Sequence, residues 1–381
     1  MYARAFPPFV VGHAGCRMVG VVLALALAWC SQAHAQEAIE EFPILYPSLQ
    51  HTPSPCHAVN GSTHEITYDP QGGRTLWITG QNYDAVVQVA VDGQMTFYAL
   101  PADSGPHGIE FDALGQLWLT LEFLGQIVRL DGQGTIVAAY DVRLDCRTCP
   151  EPINTHPHGL GIGSDGATVW FTGKGTGTVG KITPDGQLQT YALPTVGSVP
   201  IYIKAGPDGN MWVTELVGNT IARVTPEGAV TEFAIPTFNS RPIAIVPEPD
   251  GAAMWFTEEA GNKVARIDMA GTITEFPVPK SQANVILGGL AFDTQKNLWV
   301  QQYVDLNHPA PGGPDHVLKI DKAILTATPE DMASVPVTFY QVPTADTVMH
   351  RIIQGPDGNM WFTELHTNQV GKLRLGVTTR E

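Results

Sequence analysis

The chain has 381 residues, of which 44% are apolar and 15% charged, with 39 Gly and 30 Pro; that mixture fits many turns between short strands rather than long helices. A formal net charge of −16 leaves no basic surplus to displace counterions, which excludes a general nucleic-acid binder. The sequence also holds no P-loop, Gly-x-Ser-x-Gly elbow or haem-attachment motif.

In chain order, Arg4 and Arg17 precede an apolar run over 19–29, and Ala33-His34-Ala35 gives a small-x-small cleavage site before Gln36. Residues 1–35 therefore read as a signal peptide, with residues 36–381 forming one domain in a secreted or periplasmic protein. The run is too short to span a bilayer, so no integral membrane segment is expected after cleavage. Bulky Trp29 before Cys30 argues against lipidation. Three cysteines then remain: Cys56, Cys146 and Cys149. Export permits a disulfide, and the reading favours Cys56 bridged to Cys146 or Cys149. No βαβ pattern surrounds the Cys-x-x-Cys pair to make it a redox centre, and two close cysteines make a poor zinc site.

Trp77, Trp118, Trp170, Trp212, Trp255, Trp299 and Trp361 each sit in an apolar, β-rich run. They recur roughly every forty residues, the period of four-stranded propeller blades. The best copy, Gly355-Pro356-Asp357-Gly358-Asn359-Met360-Trp361-Phe362-Thr363-Glu364, is a turn followed by a buried strand, and residues 206–215 repeat most of it. The last unit stops after its third strand, near Leu375, whereas residues 38–44 resemble the outer strand over 272–278. The expectation is an all-β, seven-bladed β-propeller of four-stranded blades, closed by the N-terminal strand completing the last blade. Two insertions break the period, over 141–154 and 303–315, and a short helix is expected within 322–335.

The residues that refuse to repeat are the informative ones. The position opening each innermost strand reads His64, His107, His158, Ile201, Ile243, Leu287 and His350. Ring closure makes the seventh blade a neighbour of the first, so the four histidines form a crescent facing an aliphatic side. Neutral imidazole serves both as base and as metal ligand near neutral pH. Glu215, Glu258 and Glu364 repeat after the strand Thr and read as architectural. Blade 2 instead has Leu121-Glu122, and a one-residue shift changes the face to which a side chain points. Blade 3 has Gly173-Lys174. Glu122 and Lys174 join the candidates, with Arg351 and His156 as neighbours.

The repeat Gly-Pro-Asp-Gly-Asn-x-Trp-Phe-Thr-Glu, followed by strands such as Ile221-Ala222-Arg223-Val224, resembles the blade motif of the virginiamycin B lyase (streptogramin B lyase) family. The resemblance implies a seven-bladed propeller and an Mg²⁺-dependent lyase that opens a cyclic depsipeptide by eliminating across a C–O bond. His64 matches the histidine that opens one blade in that family. His107, in Gly105-Pro106-His107-Gly108, matches the histidine of a Glu-Pro-His triplet, and Glu122 matches a later glutamate. Gly105 departs from the triplet's glutamate, and His156 is the one residue at the same offset that could substitute for it.

The resemblance implies His107, His64 and Glu122 as catalytic residues, to which the departure of blade 3 from the repeat adds Lys174, with His107 the base for a proton next to a carbonyl. Glu122 and His64 would hold the metal, and His158, His350 and Arg351 would bind substrate. The expected partner is a small-molecule or oligosaccharide substrate, and the protein is expected to be a monomer. The alternatives are a uronate-glycan lyase, with Lys174 or Arg351 at the sugar carboxylate, a metal-dependent lactonase, and a non-catalytic ligand-binding propeller.

Overall fold

The computed structural model describes residues 38–47, 61–249, 251–307 and 312–376; the expected signal peptide and Cys56 lie outside them. Seven antiparallel four-stranded sheets follow one another along the chain. Their innermost strands, Thr63–Tyr68, Pro106–Phe111, Pro157–Ile162, Pro200–Ala205, Pro242–Pro247, Val285–Phe292 and Met349–Gln354, define blades 1 to 7. Blade 7 takes Ile39–Pro43 as its outer strand, with Ile39 paired to Leu373 and Pro43 to Gln369. The N-terminal strand therefore closes the ring as the sequence suggested, and that sheet keeps no open seam.

The repeat has a physical reason at each position. Asp357 accepts hydrogen bonds from the Asn359 amide (3.2 Å) and from Trp361 Nε1 (2.9 Å), and Asp208 does the same for Asn210 (3.2 Å) and Trp212 (3.0 Å). The turn and the indole are thus fixed by one carboxylate. Gly358 (φ 78°) and Gly209 (φ 79°) take the left-handed conformation the turn requires. Every blade Trp packs on an aromatic ring of its outer strand, including Trp361 on Phe42 across the closure, with centroids 5.7 Å apart. Third-strand cations such as Arg223 and Lys372 lie over Trp212 and Trp361.

The strand Thr joins neighbouring blades. Its hydroxyl accepts from an amide at the start of its own innermost strand, as Thr79 does from Glu65 N (3.1 Å) and Thr120 from Gly108 N (2.7 Å). It then donates to a carbonyl of the next blade: Thr79 to His107 O (2.8 Å), Thr120 to His158 O (3.2 Å), Thr214 to Ile243 O (2.8 Å) and Thr363 to His64 O (2.7 Å). Each contact crosses a blade boundary and fixes the residue that opens the next innermost strand.

This pattern corrects one sequence assignment. In blade 6 the matching acceptor is Gly288 O, reached by Thr257 at 2.8 Å. Gly288 rather than Leu287 therefore occupies the channel position, while Leu287 is fully buried between blades. The cysteine pairing is corrected as well: Cys146 is bonded to Cys149, within the first insertion. That insertion is pinned by a bridge between Leu144 and Ile153. The helix expected within 322–335 is two 3₁₀ turns, Lys322–Thr326 and Pro329–Ser334.

Candidate functional site

All seven innermost strands begin with a register irregularity, for example between Thr63 and Ile66 and between Pro106 and Ile109. Just before it, Gly105, His156, Val199, Arg241 and Val348 hold φ values of 46–56°. That region is unusual for side-chain-bearing residues, β-branched ones above all. The strand start is thereby bent, and the residue after it belongs to the channel mouth.

His64, His107 and His350 form a near-equilateral triangle, with ring centroids 5.0 Å (64–107), 5.2 Å (64–350) and 5.3 Å (107–350) apart. His158 lies against His107, with ring centroids 3.6 Å apart and planes tilted by 32°. The expected crescent is thus a compact cluster converging on the axis. Its tautomers follow from the backbone. Nδ1 of His64 lies 2.7 Å from Ser62 O, that of His158 2.9 Å from Ile201 O, and that of His107 3.3 Å from His158 O. A carbonyl can only accept, so Nδ1 carries the proton and Nε2 carries the lone pair. Burial, followed by the neighbouring imidazoles and Lys174, holds His107 well below the usual histidine range. Burial and then Lys174 do the same for His158. Burial brings His350 down to about 3 despite the Glu65 carboxylate beside it. His107, His158 and His350 are therefore neutral at neutral pH.

One step outward, near the end of the blade 6 second strand and just past the other six, lie Gln81, Glu122, Lys174, Leu216, Glu259, Tyr303 and Leu365. Glu122 is buried; Lys174 Nζ lies 2.7 Å from its Oε1, and Gln81 Nε2 donates to its Oε2 at 2.7 Å. The shifted glutamate of blade 2 therefore does reach the mouth, unlike Glu215, Glu258 and Glu364, which are buried inside their blades. The first insertion supports this corner: Asn154 Nδ2 donates to Glu122 O (3.2 Å) and Phe123 O (2.8 Å). Two three-ligand groupings exist among the described residues, Glu65–His107–His350 and His107–Glu122–His158. His64 and His156 belong to neither.

One position further along the innermost strands, Glu65, Tyr202 and Arg351 stand where other blades have Gly108, Gly159, Ala244 and Gly289. Arg351 grips Glu65 with two bonds (2.7 and 2.6 Å) and lies 3.8 Å from the Tyr202 ring centroid. Blades 7 and 1 thus reach blade 4 across the channel beneath the histidines. Arg351 belongs to this buried floor. Sequence reasoning missed Glu65 and Tyr202, although the alternation of large polar and small residues in this column marks them.

A cavity of about 230 Å³ opens at the mouth, lined by the polar His158, Lys174, Glu259, Tyr303 and His350 and by the apolar Val199, Ile201, Leu216, Ile243 and Met349. A second cavity, about 450 Å³, lies at the other end of the innermost strands, around Phe111, Lys204 and Phe292, and shares no lining residue with the first. The chemically furnished cavity is the smaller one.

Fold and site define a seven-bladed propeller with a histidine-furnished channel mouth. A profile of the Virginiamycin B lyase family matches residues 145–305. The virginiamycin B lyase of Nocardia farcinica (strain IFM 10152) is 30% identical over 160 residues, 40% of this chain and 52% of that one, so the match spans about half the relative's length. The structure of virginiamycin B lyase from Staphylococcus aureus matches with a TM-score of 0.70 at 27% identity, over 88% of this chain and 99% of that one. A catalytically inactive histidine-to-alanine variant of the same enzyme, crystallised with quinupristin, gives 0.68 at 26% identity over 88% and 99%. Over residues 145–305 in sequence, and over most of its length in fold, this chain is similar to virginiamycin B lyases.

The Mg²⁺ implied by that likeness prefers oxygen ligands, and the residues present do not fit it. The nearby carboxylates are already paired, Glu122 with Lys174, Glu65 with Arg351 and Glu259 with Arg241. A Cβ added at Gly105 would come 2.3 Å from the Phe123 ring, so that ring fills the space a further ligand would need. The remaining donors are imidazole nitrogens.

Proposed function

We propose that the protein is an exported carbon–oxygen lyase in which a neutral imidazole of the cluster, His107, removes a proton from the carbon next to a carbonyl. The C–H electron pair becomes a new C=C bond, and the C–O pair leaves with the oxygen, which departs as a carboxylate; no water is consumed. The observation that carries this reading is the histidine cluster, with His64 and His107 buried and His158 and His350 half-buried, beside the Glu122–Lys174 pair. His107 Nδ1–H is held by His158 O, which leaves Nε2 as the proton acceptor, and burial keeps the ring in the unprotonated form a base requires. That a histidine-to-alanine variant of a similar propeller is inactive supports an imidazole at the centre of the chemistry.

The shape of the mouth favours an ester with an apolar body over a uronate glycan. About half of the lining is aliphatic, Glu259 adds a negative charge, and the cations a sugar carboxylate would need are already engaged, Arg351 with buried Glu65 and Lys174 with Glu122. The test sets cyclic depsipeptides, quinupristin among them, against uronate polymers and follows absorbance of the unsaturated product. Turnover of the lactones is expected. Turnover of the polymers alone would give the site to the glycan reading, and binding without turnover of either class, surviving His107→Ala, would give it to a binding propeller.

A further inference from the structure

We propose that the Lys174 ammonium, seated on Glu122, is the resident cation of this mouth and stands where a divalent ion would otherwise bind. Glu122 presents one carboxylate oxygen to Lys174 Nζ at 2.7 Å and the other to Gln81 Nε2 at 2.7 Å. Glu122 also groups with His107 and His158, their ligand atoms lying within 4.8 Å of one another. The ammonium is therefore bound to the one carboxylate of that three-donor set. Its charge acts on the same two imidazoles that a metal would use, because it helps to hold both in the unprotonated state. A second cation among these donors would meet the same repulsion.

The placement is built into the fold. Lys174 follows the Gly173 end of its strand, and its amide donates to His156 O at 3.2 Å. It is the only Lys or Arg in the ring of seven positions near or just past the ends of the second strands, next in order after Glu122. Asn154 fixes the backbone of Glu122 from the other side. A fixed ammonium in a partly buried site can stabilise negative charge developing on a substrate oxygen. Only that last role rests on the lyase reading; ion binding is measured without substrate, so the two can fail separately.

Mn²⁺ is the probe, titrated into the full mature chain and followed by electron paramagnetic resonance and by calorimetry with Mg²⁺ in parallel. The wild type is expected to show no saturable site for either ion. Lys174→Met, which keeps length but removes charge, is expected to gain one Mn²⁺ per chain. Adding His158→Ala should abolish the gained site, and Lys174→Arg should not create one. Lys174 is partly exposed, so these variants are expected to fold, with thermal unfolding as the check. One Mn²⁺ or Mg²⁺ bound per wild-type chain, and lost in Glu122→Gln, would overturn the proposal. So would a Lys174→Met chain that folds and gains no site.

Discussion

Blade 2 and blade 5 share the same four strands, the same Trp and the same threonine bonded to the next blade, and both carry a carboxylate at the mouth, Glu122 and Glu259, yet only blade 5 has one directly after that threonine. In blade 5, Glu258 follows Thr257 directly and is sealed inside the blade beside Glu275, where burial and then that second carboxylate push it up to about 8. In blade 2, Leu121 takes that inward position and Glu122 falls one residue later, at the channel mouth against Lys174 and Gln81. A shift of one residue converts a scaffold group into a site group. The same contrast divides the ring: blades 7, 1, 2 and 3 bring histidines to the axis, while blades 4, 5 and 6 bring Ile201, Ile243 and Gly288.

The sharpest way to break this contrast is to exchange residues across it. His107→Ala is expected to lower turnover by about 10²–10⁴-fold, the usual contribution of a positioned acid or base, with circular dichroism unchanged. Ile243→Val, at the matching position on the aliphatic side, should alter turnover by far less. Equal losses in steady-state assays would mean that the two sides do not differ in role.

The threonines sharpen it next. Thr79→Val removes the donor to His107 O and the acceptor for Glu65 N, whereas Thr214→Val removes the donor to Ile243 O. Each is expected to cost about 1–3 kcal/mol in denaturant unfolding, because buried polar partners are left unsatisfied. Only Thr79→Val should also reduce turnover, since the carbonyl it releases belongs to the base.

Smaller effects separate scaffold from site by pH. Glu364, pushed up to about 9 by burial and then by Glu41, and Glu258, at about 8, keep protons that the unfolded chain releases near its ordinary 4.5. The folded state binds more protons over that window, so stability falls as pH rises through it. His350, brought down to about 3 by burial, works in the opposite direction. The unfolded chain binds its proton near 6.5, so stability is lost as pH falls from there toward 3. Melting temperatures across pH should show Glu364→Gln flattening the alkaline limb and His350→Asn the acid limb, each leaving the other limb in place.

Most of the ring was legible because its determinants are local and repeated: an Asp that holds both turn and indole, a Trp at each second strand, and an outer strand missing from one end and present at the other. The histidine column was legible because four unlike neighbours occupy one repeated position. Leu287 was misplaced because the spacing from this position to the blade Trp varies between blades, and Gly288 is singled out only once Thr257 is seen to reach it. Glu65 and Tyr202 were missed because their contacts cross the channel between blades far apart in sequence. The role of the threonines escaped for the same reason. The Cys146–Cys149 bond was passed over in favour of the longer-range alternative.

The most direct measurement is the product formed from a cyclic depsipeptide in water enriched with heavy oxygen, read by mass spectrometry. Elimination predicts a linear, unsaturated product of the same mass as the substrate, carrying no heavy oxygen and absent with His107→Ala. A product heavier by one water and bearing the label would show hydrolysis and contradict the proposed chemistry.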